Sequence, residues 1–313
     1  EEHRWFFKHI EIPQELKGKD LELYVSSTDV HDEDWEPQFM VYLDGKLIRG
    51  MDTKHRYVKL DGNRDGYDVH IYAYSQPSGK RTDFFAQLCE FNREVEKLYY
   101  NIKATYRILY YSDKNSKEYA DVREYLNTAI NFINWCAPMS EEFLRSVDDA
   151  NEYLEKEFYG KYCHDQDIKV SVIGHTHIDV AWRWTLDQTR EKVQRTFGSV
   201  IEMMKKYPDY KFMSSQPQLL KFLKEESPEM YAEIQQLVKE KRIELEGSMW
   251  LEADCNLTSG ESLVRQIIFG KRFFKDEFGV DNRIIWLPDV FGYSARSEEH
   301  TSELQSPEAI SYA

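Results

Sequence analysis

The chain has 313 residues, enough for two domains and a sizeable core, and it is rich in aromatics, with 21 Tyr, 17 Phe and 7 Trp. Its formal net charge of −15 argues against nucleic acid or an anionic membrane as a partner, since both repel an acidic surface. No run approaches the roughly 18 apolar residues of a membrane span. The cysteines (Cys89, Cys136, Cys163, Cys255) show no Cys-x-x-Cys spacing, which fits reduced thiols in a cytoplasmic protein better than a disulfide framework.

The sequence opens at Glu1 without an initiator Met and enters a strand-like segment at once, so it reads as a fragment that has lost its natural start and any targeting segment with it. Residues 1–80 carry β patterning. Leu21, Leu23 and Val25 alternate with Glu22, Tyr24 and Ser26; Phe39, Val41 and Leu43 again fall at every second position and run into the turn dipeptide Asp44-Gly45. Val69, Ile71 and Ala73 repeat the pattern. Short alternating strands of this kind predict an antiparallel β-sandwich, either a sugar-binding or a plain packing domain. The acidic loop Asp29–Glu36 fits a solvated loop better than a calcium site.

Residues 81–165 switch to helical period and predict a helical connector. Phe84, Leu88, Phe91, Val95, Leu98, Ile102, Tyr106 and Leu109 form one apolar stripe. Two more helices are expected at about 118–135 and 141–158, the latter capped by Ser140.

From 166 to 295 the pattern becomes β/α. Strand-like runs at 168–173, 210–213, 242–245 and 283–286 are separated by helical stretches at 187–206, 216–240 (broken near Pro228) and 260–278. Such alternation predicts parallel strands with crossover helices, so the overall class is α/β plus all-β. In these folds working residues collect past the C-terminal ends of strands. Here those positions hold His177 and Asp179, then Ser214–Gln216, then Trp250–Asp254, then Asp289.

The densest of these segments is KVSVIGHTHIDVAWRW, 169–184. His175, His177 and Asp179 fall at every second position, so an extended chain puts all three on one face, and imidazole with carboxylate suits a divalent ion such as zinc. An ordinary strand end with histidines bonded to backbone fits the same pattern. Trp182 and Trp184 follow and offer faces on which a sugar ring can stack. Trp250, Glu252 and Asp254 share one face if extended, as rim groups or as ligand contacts, and Trp250 and Asp254 join Trp182 as candidate substrate-binding residues. Asp289 stands between Pro288 and a nearby Gly292, as a site carboxylate or as a cap or Asx-turn residue.

GHTHIDVAW (174–182) and WLPDVFGYS (286–294) resemble the two signature segments of glycoside hydrolase family 38, the α-mannosidases. FMSSQPQ (212–218), ELEGSMWLEADCNLTSGESLVRQ (244–266) and GKRFF (270–274) are similar to the same family in order and spacing, and the preceding region, with VYLDGKLI and HRYVKL, resembles the cytosolic and vacuolar type. The resemblance implies a metal-dependent retaining exo-α-mannosidase whose 166–295 segment is the first part of an incomplete β/α barrel. It implies His177 and Asp179 as ligands of Zn2+ or another divalent metal. It implies Asp289 as both ligand and catalytic nucleophile, Trp182 as a wall of the sugar subsite, and a supporting role for His175. The partners implied are α-mannoside oligosaccharides, and an oligomer of identical chains is plausible on the size of the family's members.

The sequence departs from the family at its end. The acid/base and the remaining histidine ligand of the family lie well downstream of the nucleophile motif, and Glu252 and Asp254 are not promoted to that role. RSEEHTSELQSPEAISYA (296–313) resembles the in-frame translation of a common sequencing adapter, so His300 is not expected to be a ligand; without that tail the net charge would be −12. These residues alone are therefore expected to hydrolyse weakly or not at all and to bind zinc with weakened affinity. Two other classes remain open: a metal-dependent polysaccharide deacetylase, against which WLPDVFGYS speaks, and a non-catalytic carbohydrate-binding protein built on the 1–80 domain.

Overall fold

The computed structural model describes residues 2–27, 38–52, 55–75, 84–163 and 170–293. The acidic loop Asp29–Glu36, the start of the strand expected at 168 and the 296–313 tail lie outside the described residues.

Two antiparallel sheets come first. One has strand order β1 (Glu2–Glu11), β6 (Gly66–Ser75), β3 (Gln38–Leu43), β4 (Lys46–Met51); the other has β5 (Tyr57–Asp61), β2 (Asp20–Ser27), β7 (Phe84–Glu90). The alternation read from the sequence sets which side chains turn inward. Leu21, Leu23 and Val25 of β2 are buried with Phe39, Val41 and Leu43 of β3 and with Val69 and Ile71 of β6, in one core shared by both sheets. The β3–β4 hairpin turns at Asp44-Gly45 with φ of 52° and 81°, the doubly left-handed turn that an Asp-Gly pair favours.

The helical stripe begins later than its spacing suggested. Phe84 and Leu88 belong to β7, which pairs with β2 from Leu21↔Glu90 to Ser27↔Phe84. Helix α1 (Arg93–Tyr111) starts only after Asn92, whose side chain caps the Val95 amide. Helices α2 (Lys117–Phe132) and α3 (Glu141–Tyr153) follow, and Ser140 Oγ accepts from the Phe143 amide as its cap residue, 3.1 Å away. A π-helical turn, Leu154–Tyr162, extends α3. Leu98, Leu126, Phe143, Val147 and Phe158 bury the inner faces of these helices in a second core.

The third part carries parallel strands. Its sheet has the order β10 (Ile243–Leu245), β9 (Phe212–Ser214), β8 (Gly174–His175), joined by α4 (Leu186–Lys206), α5 (Pro217–Glu226) and α6 (Pro228–Lys239), and α7 (Gly260–Phe278) follows β10. Two expected strands are shorter than read. Of the first, expected at 168–173, none of residues 170–173 pairs, Val170, Val172 and Ile173 are exposed, and only Gly174–His175 just past the run join the sheet. The reason is position: β8 is the edge of the described sheet, so its outer side is paired with no strand among the described residues. Of the fourth, a single parallel bridge remains, Gly247↔Ile285. Val193, Phe197, Leu220, Leu223, Ile234, Ile243, Leu245 and Phe274 form the core beneath this sheet.

The first and third parts pack through β4 and α4. Gly198 of α4 comes so close that a Cβ there would lie 3.0 Å from Arg49 Cα, and a Cβ on Gly50 would collide with Arg195. Tyr72 Oη donates to Glu191 Oε1 at 2.7 Å, and Gln188 donates to Tyr74 Oη across the same seam. Among the described residues no helix is long and apolar enough to cross a membrane.

Candidate metal centre

Parallel strands deliver their loops to one end of the sheet. Past β8 the chain leaves the ladder and stays irregular through Asp179, then bends at Ala181, held at φ 70° with its amide donating to Thr189 Oγ1. A Thr185/Gln188 capping box then starts α4. Pro288 and Asp289 form a turn beyond the Ile285 bridge.

These two segments bring His177, Asp179 and Asp289 together, with one ligand atom from each within 4.8 Å of the others. His177 Nε2 lies 3.4 Å from Asp179 Oδ1 and 3.6 Å from Asp289 Oδ2. That nitrogen is buried and has no hydrogen-bond partner. Ligand atoms bound to one tetrahedral zinc by bonds of about 2.1 Å stand about 3.4 Å apart, so the donor set and its spacing fit such an ion. Among the described residues the carboxylate of Asp289 makes neither a helix cap nor an Asx-turn bond, and its side chain is half exposed.

His175 does not join the cluster, contrary to the one-face expectation, because the extended chain ends at that residue. Its Nε2 meets Ser215 Oγ at 3.3 Å, and its ring stands edge-on to Trp286. Ser215 Oγ donates to Glu252 Oε1 at 3.1 Å, and Glu252 Oε2 sits 2.6 Å from His177 Nδ1. This last contact is close but off the N–H line, so neither atom has a well-directed hydrogen bond. Contact with Glu252, reinforced by Asp179 and stronger than the opposing burial, lifts His177 to about 9 with no metal present. Burial lowers His175, against an opposing pull from Glu252 and with a smaller contribution from the neighbouring His177.

The remaining candidates differ in setting. Trp182 is 63% exposed, edge-on to Trp184, with the Arg183 guanidinium 4.6 Å from its ring centre. Trp250 donates from Nε1 to Gln218 Oε1 and packs edge-on against Phe273 of α7. Asp254 Oδ1 accepts from the Asn256 and Leu257 amides in an Asx turn, while the Cys255 amide donates to Gly292 O at 2.9 Å and ties this loop to the segment that bears Asp289. Ser215 and Glu252 are the functional neighbours whose connection to His177 the sequence did not reveal. Their signal was the strand-end position of one and the every-second-residue pattern of the other.

The 248–252 segment that delivers Glu252 is pressed on α7. The Trp250 amide donates to Gln266 O, the Leu251 amide donates to Gln266 Oε1, and a Cβ at Gly270 would collide with Ser248 O and the Met249–Trp250 peptide. Gly270→Ala should therefore cost about 1–3 kcal/mol, read as a lower denaturation midpoint. It should also weaken metal binding by displacing Glu252.

Residues 167–301 match the family model described as the Glycosyl hydrolases family 38 N-terminal domain. Along most of its length the chain is similar to α-mannosidases. Mouse "Alpha-mannosidase 2C1" is 32% identical over 93% of this chain and 29% of its own length, and Dictyostelium discoideum "Alpha-mannosidase G" is 29% identical over 93% and 28%. The Saccharomyces cerevisiae "Alpha-mannosidase" is 37% identical over 48% of this chain and 15% of its own length. The chain spans under a third of the curated relatives it matches along its whole length.

Proposed function

We propose that this chain forms the metal-binding part of a retaining α-mannosidase that removes terminal mannose from α-mannoside oligosaccharides. The observation that carries the reading is the convergence of His177, Asp179 and Asp289 from the two segments of family 38 signature. His177 and Asp179 hold the ion, with Asp289 as third ligand. A bound divalent ion supplies a Lewis acid that orients sugar hydroxyls and favours ring distortion.

Asp289 is the nucleophile. A carboxylate oxygen bonds the anomeric carbon as the glycosidic C–O bond breaks, and the leaving oxygen takes a proton from a carboxylic acid about 5 Å away in a retaining geometry. Water then adds at the same carbon, gives up its proton to that acid's conjugate base and frees the Asp289 carboxylate. Trp182, exposed and edge-on to Trp184, offers a face for the pyranose ring. Asp254, beside Gly292, keeps the nucleophile loop in register with the 253–258 turn. The 166–295 segment is the first part of a β/α barrel, preceded by a β-sandwich that begins the chain and a helical connector. Unpaired Cys89, Cys136, Cys163 and Cys255 support a cytoplasmic setting.

The test is a fluorinated, activated mannosyl donor that traps the covalent state. Peptide mass mapping should find one mannosyl adduct, on Asp289. An adduct on another carboxylate, or acetate release from an acetylated polysaccharide with no mannosyl adduct, would overturn the reading.

A further inference from the structure

Glu252 has a side chain only 4% exposed. A carboxylate in that setting demands partners. Those the structure gives it are Ser215 Oγ on one oxygen and His177 Nδ1 on the other. Nδ1 and Nε2 leave the imidazole on different edges, so Glu252 meets His177 on the edge away from Asp179 and Asp289. It is thus placed to hold the ring without competing for the ion.

Proton bookkeeping gives this arrangement a direction. The single Ser215 proton goes to Glu252, so toward His175 the Ser215 oxygen acts as acceptor and His175 Nε2 carries the hydrogen. A carboxylate accepts only, so a hydrogen at Nδ1 suits the contact with Glu252, and Nε2, on the side of Asp179 and Asp289, is the nitrogen that would give up its proton to an ion. One chain of donors, from His175 through Ser215, ends on one oxygen of Glu252, and His177 Nδ1 is in close contact with the other.

We propose that Glu252, held by Ser215, is the positioning residue of the metal centre: it fixes the ring orientation and tautomer of His177 so that Nε2 faces the ion. This rests on the reading of His177, Asp179 and Asp289 as ligands. The contact is short, at 2.6 Å, and lies off the N–H line.

Cobalt titration of the metal-stripped chain tests the proposal, read by calorimetry and by the visible absorption of the bound ion. Glu252→Ala should weaken cobalt binding by about 10–100-fold. Glu252→Gln, whose amide oxygen can still accept from Nδ1, should recover part of that loss. Ser215→Ala, which frees one carboxylate oxygen, should weaken binding less than Glu252→Ala, and it carries the test should Glu252→Ala fail to fold. A purely structural Glu252 would lower thermal stability but leave the cobalt affinity and spectrum of the folded variants unchanged; that result would overturn the positioning role alone. Absence of cobalt and zinc binding by the unmodified chain would overturn the metal-centre reading and this proposal with it.

Discussion

Replacing a proposed metal ligand should remove the thermal stabilisation expected of zinc. An ion that binds only the folded state stabilises it by about 2.7 kcal/mol at a hundredfold excess over Kd, so the unmodified protein should melt higher with zinc than after chelation. Asp289→Asn is the cleaner probe. Its side chain is half exposed and makes no cap or Asx-turn bond, so the apo stability should change little while the zinc-induced shift disappears. His177→Ala should abolish the shift as well and lower the apo melting point besides, because it strands the buried Glu252 carboxylate. The loss of affinity in either variant should exceed the about 10–100-fold typical of outer-shell partners. Zinc stabilisation that survives both substitutions would place the ion elsewhere.

The largest effect on folding is expected at Phe197. It is 1% exposed on α4, edge-on to Phe212 of β9, inside the core that includes Leu220, Leu223, Ile243 and Leu245. Phe197→Ala should cost about 3–5 kcal/mol, the sum of lost burial and the cavity left behind. Chemical denaturation measures it, as a lower midpoint with an unchanged slope. The variant should still show the zinc shift at low temperature, since Phe197 touches none of the ligands. Phe197→Leu should recover much of the loss. A cost under about 1 kcal/mol would mean that α4 does not pack on the parallel sheet as described.

The contrast between these two sites shows what local sequence pattern can carry. Period two placed Leu21, Leu23 and Val25 in the core, and Asp44-Gly45 marked its hairpin, because both signals are complete within a few residues. Phe84 and Leu88 misled for a physical reason. A spacing of four is even, so it satisfies a strand as well as a helical face, and only the capping Asn92 marks where the helix begins. The apolar run 170–173 and the 284–285 pair look like buried strands. Whether such a run is paired depends on neighbours distant in sequence, and here both lie at or beyond the edge of the described sheet.

At the proposed site, alternation grouped His175, His177 and Asp179 without choosing among them, and the turn between Pro288 and Gly292 marked Asp289; the structure brings His177, Asp179 and Asp289 together. The chain leaves the ladder after His175, which sends that residue to Ser215 instead. Glu252 was visible as a rim carboxylate, but its meeting with His177 joins loops 75 residues apart and no local pattern encodes it.

The measurement that bears most directly on the account is hydrolysis of an aryl α-mannoside by the full-length protein, before and after removal of its metal. The account predicts mannose release that disappears on chelation, returns with added zinc and is absent in Asp289→Ala. Undiminished hydrolysis in the fully chelated protein, or in Asp289→Ala, would contradict it.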